Sequence, residues 1–167
     1  MKSIICSQKG KIRMALEDIK IGKTIEEIQE GDSLTVTEVI ELKDILLYLG
    51  LTNDNNPLYL QYDYTQATRY KKPVVPPVLL MGILTSNVSK HLPGPGSNVV
   101  DLSLDILEPI HHNSTITFEF EIKRVDERRE QVMIMVEGSS LSGERLLEAE
   151  LIVETPEKLI NVDNENK

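Results

Sequence analysis

The sequence predicts an α+β domain in which an antiparallel sheet lays its apolar face on one long helix. The hydrophobic period changes from 3.6 to 2 near residue 98, and a strongly apolar, proline-led helical stretch, from about residue 77 to residue 91, lies just before that change. The strand-like runs that follow are joined by short turns, which favour antiparallel neighbours.

Residues 1–30 carry mixed charge and only a loose helical pattern (Ile19, Ile25, Ile28), so they are expected to form an N-terminal arm. Gly31-Asp32 then opens a run rich in β-branched residues, Ser33–Val39, which is expected to be a strand. Leu42, Ile45, Leu46 and Leu49 recur at helical spacing, and Gly50 sits where such a helix would end. Asn53-Asp-Asn-Asn-Pro57 is loop-like, and 63–70 is helical in composition.

Pro73, Pro76 and Pro77 forbid helix before about residue 76, but proline suits a first helical turn. The helix that begins there is apolar around most of its surface (Val78, Leu79, Leu80, Met81, Ile83, Leu84, Val88) and is expected to be buried. Leu92-Pro-Gly-Pro-Gly96 ends it. Four half-buried strands follow, marked by alternation at Leu102/Leu104/Ile106, Ile116/Phe118/Phe120/Ile122, Val132/Ile134/Val136 and Leu147/Ala149/Leu151/Val153. Their turns are Pro109–Ser114, Asp126–Glu130 and Ser142–Glu144, and the domain is expected to span 31–154 with a polar tail over 155–167. The open edges of such a sheet favour pairing with a second subunit.

The composition excludes several classes of function. With 18 Lys+Arg against 27 Asp+Glu, a net charge of −9 and a pI near 4.9, the chain lacks the basic excess that nucleic acid demands. One cysteine, Cys6, permits no intrachain disulfide and no cysteine-built zinc cluster, and three scattered His do not replace one; a cytoplasmic setting without a metal is expected. The longest apolar stretch, Pro73–Leu84, is too short and too proline-rich to cross a bilayer.

All five Tyr lie between residues 48 and 70, a concentration that suits either a pocket lining or a cluster tacking a loop to the core. Within it, Asn53–Pro57 reads as turn chemistry, yet Asp54 also sits where a carboxylate beside an apolar groove could act as a general base. Arg69, Lys71 and Lys72 form the one local basic spot, either a phosphate contact or a solvated face. His111-His112 falls in a turn and is expected to be solvated.

The order of parts resembles the MaoC-like, (R)-specific enoyl-CoA hydratase family. The likeness rests on Asn53-Asp-Asn-Asn-Pro-Leu58, Tyr70-Lys-Lys-Pro-Val-Val-Pro-Pro-Val-Leu79, Leu92-Pro-Gly-Pro-Gly96 and Glu108-Pro-Ile110, and it runs over about residues 31–154. It implies a hot dog fold, an antiparallel sheet wrapped around a long central helix. It further implies a homodimer, or a heterodimer with a related subunit, that binds thioesters of CoA or acyl carrier protein and needs no cofactor.

The family's loop, Gly/Glu-Asp-x-Asn-Pro-Ile/Leu-His, matches at Asp54, Asn56 and Pro57, but its His falls on Tyr59. A phenol titrates near 10 where imidazole titrates near 6.5, so the base pair is altered. The family's oxyanion Gly falls on Pro77, which has no N–H to offer, and its helix Ser falls on Thr85.

The resemblance therefore implies Asp54 and Tyr59 as catalytic candidates and Asn56, Thr85, Arg69, Lys71 and Lys72 as substrate contacts. Two readings follow. In the first, favoured by the two replacements, the chain binds an acyl thioester or serves as a partner subunit, with its own hydratase activity reduced or lost. In the alternative it is an active enoyl-CoA hydratase or 3-hydroxyacyl dehydratase using Asp54 with Tyr59 or a water in place of the His.

Overall fold

Five strands form one antiparallel sheet in a computed structural model that describes residues 20–158. They are β1 (Ser33–Ile40), β2 (Asn98–Ile106), β3 (Ser114–Asp126), β4 (Gln131–Ser140) and β5 (Arg145–Glu154), in the spatial order β1-β3-β4-β5-β2. Residues 1–19, with Cys6 and most of the expected arm, and the end of the tail from 159 lie outside the described residues.

The strands alternate as the sequence predicts. Ile116, Phe118, Phe120 and Ile122 of β3 are buried between Leu34 and Val36 of β1 on one side and Val136 of β4 on the other. Phe118 and Phe120 bracket the middle of the core with ring centroids 6.5 Å apart. Gly138 lies opposite Leu147, and a Cβ there would stand 2.7 Å from the Leu147 side chain, so the missing side chain makes room for a core leucine.

Among the described residues four α-helices complete the domain, α1 (Leu42–Thr52), α2 (Pro57–Leu60), α3 (Tyr62–Gln66) and α4 (Pro77–Lys90), with a 3-10 turn at Ile25–Glu27. Pro77 occupies the first position of α4, where its missing N–H interrupts no helical bond. Leu80, Leu84 and Val88 recur at i, i+4, i+8 and are fully buried in the core with the phenylalanines. Truncating such a side chain costs about 2–5 kcal/mol.

The structure corrects three expectations. First, α4 is covered on one face only, because one chain's sheet reaches one side of it; Gly82 is exposed and Val78 is 56% exposed. Second, α1 does not stop at Gly50. It runs to Thr52 and ends on Asn53 at φ 53°, a left-handed cap that asparagine tolerates well.

Third, the short link after β2 does not make β2 and β3 neighbours: β2 pairs with β5, and β3 pairs with β1 and β4. The strands lie about 4.8 Å apart, so three spacings need about 14 Å, and residues 107–113 can reach more than 20 Å when extended. Alternation along a strand reports which face is buried; it carries no information about how far the next turn travels.

Residues 20–30 pack on the end of α4. Gly22 N–H donates to Pro95 O at 2.7 Å, Lys23 N–H donates to Pro93 O at 2.9 Å, and Ile28 joins the core. At the other terminus Thr155 and Pro156 are buried, and Lys158 Nζ reaches Glu26 Oε1 at 2.8 Å. Among the described residues no helix is long and apolar enough to cross a membrane.

Candidate active site

Asn53 reverses the chain at the end of α1 and brings Asp54 back beneath that helix. There the half-buried carboxylate is held from two sides: Asn56 N–H donates to Oδ1 at 3.0 Å, and the Tyr48 hydroxyl points at Oδ2 from 3.5 Å. Asn56 then caps α2, its Oδ1 accepting the Leu58 N–H at 3.0 Å, with Pro57 at the first helical position. This single turn of helix is what aims Tyr59. Leu58 O accepts the Val74 N–H at 3.0 Å and ties the turn to the strand-like stretch before α4.

Tyr59 is half-buried beside Asp54. Burial is the main reason its phenol is pushed above the ordinary value, with the Asp54 charge and the neighbouring Tyr48 and Tyr70 adding to the effect and the Asn56 side chain opposing it. At neutral pH Tyr59 is therefore a protonated phenol in the neighbourhood of the Asp54 carboxylate. That combination can hold and pass one proton; the phenol by itself is no base.

Tyr59 also lines a cavity of about 480 Å³. Its walls come from Arg69 and Tyr70, from Pro77 and Leu80 at the start of α4, and from the stretch Ile106–Ile110. Neither prolines nor tyrosines fill it. Asp54 is not among the residues that line it, whereas Tyr59, which feels the Asp54 charge, is.

The remaining sequence candidates are dispersed. Arg69 lines the cavity, its Nη2 donating to the Tyr70 hydroxyl at 2.9 Å and its guanidinium 4.9 Å from the Tyr70 ring centroid. Lys71 sits at φ 62° with Nζ 3.4 Å from Gln66 O, and Lys72 is exposed; neither lines the cavity. Thr85 Oγ1 donates to Gly82 O at 3.1 Å along its own helix, and Thr85 likewise lines no part of the cavity. At the N-terminus of α4, Pro76 and Pro77 bring no N–H, and the amides of Leu79 and Leu80 turn back to Pro76 O. The Val78 amide is the one donor of this turn not drawn to that carbonyl.

The two histidines correct the expectation of solvation. His111 Nδ1 lies 3.0 Å from Pro73 O, and the Nε2 of half-buried His112 is fully enclosed. A link that crosses the sheet runs over the core rather than out into water. Sequence reasoning also missed Tyr48 and the Ile106–Ile110 wall; only the clustering of tyrosines hinted at the former. Among the described residues no three His, Cys, Asp or Glu side chains gather around a possible metal ion.

Residues 20–142 match the family model described as the MaoC like domain. The chain belongs to this family. Over 131 residues this MaoC-like protein is 29% identical to the (R)-specific enoyl-CoA hydratase of Rhodospirillum rubrum, covering 78% of its own length and 90% of that relative. Its fold matches the R-hydratase PhaJ1 from Pseudomonas aeruginosa in the unliganded form, with a TM-score of 0.74 at 20% identity, over 82% of this chain and 88% of that one. It also matches the ChsH1-ChsH2 complex from Mycobacterium tuberculosis, with a TM-score of 0.68 at 19% identity, over 76% and 98% of the two chains. The MaoC-like domain thus has the hot dog fold, a sheet curled over the helix α4, with β5 completing the sheet beyond the matched segment.

Proposed function

We propose that the protein is a cytoplasmic hydratase or dehydratase of acyl thioesters in which Asp54 serves as base and Tyr59 as proton donor. The observation that carries this reading is a carboxylate close enough for its charge to be felt by a phenol kept protonated, the phenol itself lining an unfilled cavity. In the hydration direction Asp54 takes a proton from a water held against Tyr59, and the water oxygen bonds to C3 of a trans-2-enoyl thioester. The displaced electron pair moves to the thioester carbonyl, C2 receives the Tyr59 proton, and the proton on Asp54 returns to the phenolate. The Val78 N–H is the donor left at the start of α4 to meet the developing oxyanion. Arg69 at the cavity wall suits a phosphate of CoA or of phosphopantetheine.

A second reading is favoured by Pro77. Without an N–H at that place the carbonyl is less polarised, which typically costs about a hundred- to a thousandfold in rate. In this reading the protein binds acyl thioesters as one subunit of a dimer, identical or related, whose other member covers the open face of α4 at Val78 and Gly82 and the free edge of β2.

The test is hydration of crotonyl-CoA and longer trans-2-enoyl-CoAs by the purified protein, with Asp54→Asn alongside. Turnover that disappears in Asp54→Asn supports the catalytic reading. Acyl-CoA binding without turnover at any chain length overturns it in favour of the second.

A further inference from the structure

We propose that Tyr48 is a positioning residue that fixes the orientation of the Asp54 carboxylate, an inference that rests on the catalytic reading of Asp54. The two oxygens of Asp54 are engaged by different donors, Oδ1 by the Asn56 amide at 3.0 Å and Oδ2 by the Tyr48 hydroxyl at 3.5 Å. Two donors on different oxygens fix the plane of a carboxylate, which one donor cannot do, and they leave a lone pair on Oδ2 for a reacting water. The long Tyr48 contact is of the kind that tightens when a site fills.

Tyr48 itself has little freedom. It is half-buried on α1 among Ile45 and Leu49, whose burial nails that helix to the core. Thr52 Oγ1 donates to Tyr48 O at 2.8 Å, closing the last turn of α1 just before the Asn53 cap. The hydroxyl is thus delivered by a rigid element rather than by the loop that carries Asp54.

A hydroxyl that donates to a carboxylate favours its charged form. Around Asp54 the groups of consequence are Tyr48 from α1, Tyr59 from α2, and, beyond Tyr59, Tyr70 with Arg69 from the stretch before α4. Both nearer groups are phenols, and the imidazole of His112 is packed against the Tyr59 and Val74 backbone. Replacing Tyr48 by Phe keeps the ring and removes that donor.

The experiment has two arms. The pH dependence of kcat/KM for crotonyl-CoA is compared between the native protein and Tyr48→Phe, and the Asp54 carboxyl carbon is titrated by carbon-13 NMR in both, with Asp54→Asn to assign it. In Tyr48→Phe the NMR midpoint and the acid limb both move to higher pH, and kcat falls roughly fivefold, the worth of one hydrogen bond, while KM is held. A midpoint that does not move in a folded Tyr48→Phe overturns the inference. Should Tyr48→Phe fail to fold, 3,5-difluorotyrosine at position 48, a stronger donor, is expected to move the midpoint down, and an unmoved midpoint there overturns it equally. A moved midpoint in a protein without turnover upholds the contact and sinks the catalytic reading; turnover with an unmoved midpoint sinks the inference alone.

Discussion

His112 stands directly behind Tyr59: the imidazole is packed against the backbone of Tyr59 and Val74, and its Nε2 is fully buried without a hydrogen-bond partner among the described residues. Burial is the main cause of a pKa below the ordinary 6.5, the backbone at Val74 and Tyr59 works against it, and neighbouring His111 adds a small push downward. The folded protein therefore carries a neutral imidazole at the back of its site. As pH falls through 6.5 the unfolded chain binds a proton that the folded chain refuses, so stability is lost from there down to the folded pKa. Urea midpoints measured near pH 8 and near pH 5.5 should fall on acidification in the native protein and fall less in His112→Gln. Equal slopes in the two would show that the imidazole is not the group responsible.

Tyr59→His places a group with a pKa near 6.5 where a raised phenol now stands, beside Asp54. Turnover of crotonyl-CoA is expected to rise by about a hundredfold, and the pH optimum to move toward neutrality. Tyr59→Phe is expected to abolish turnover and keep acyl-CoA binding. Both are read from initial rates and from a binding titration of a saturated acyl-CoA.

Pro77→Gly returns an N–H to the first position of α4, at the mouth of the cavity. If oxyanion stabilisation limits the rate, kcat increases by about a hundredfold at a stability loss of about 1 kcal/mol from the freer chain. An unchanged kcat with the expected drop in Tm assigns the carbonyl to another donor.

Arg69 and the two lysines should separate in a binding assay. Arg69→Ala removes the one cation of the three that lines the cavity, and the KM for acyl-CoA is expected to rise by about tenfold or more. Lys71→Gly relieves a left-handed backbone at φ 62°, and Lys72→Ala alters an exposed side chain; neither is expected to change KM by more than about twofold. A larger effect from either lysine than from Arg69 would reverse this ranking.

Much of the fold could be read from the sequence, because the buried faces are written in spacing. Leu80, Leu84 and Val88 announce a helix face, and Ile116 through Ile122 announce a strand. The strand order could not be read, since curvature rather than alternation lets residues 107–113 pass over β5 and β4 to reach β3. At the site, Asp54, Asn56 and Tyr59 are near in sequence and are brought together by a cap and one helical turn. Tyr48 and His112 were hidden for a different reason. Their roles depend on the angle at which α1 returns over the loop and on where a crossing segment lands, and neither is a local property. Lys71 and Lys72 show the converse, since neighbours in sequence to Arg69 leave the wall once the backbone turns.

The seven residues from Leu107 to Asn113 do three jobs in succession. The first four wall the cavity, His111 bridges to Val74, and His112 braces Tyr59 before Asn113 hands the chain to β3. None of the seven lies in a strand, so a residue gained or lost there shifts no register in the sheet. The size of the pocket and the setting of its phenol are thus coupled through one tether, and separated from the framework that supports them. In such an arrangement the range of acyl groups admitted is adjustable by the length of a single connection, while the fold stands unaltered.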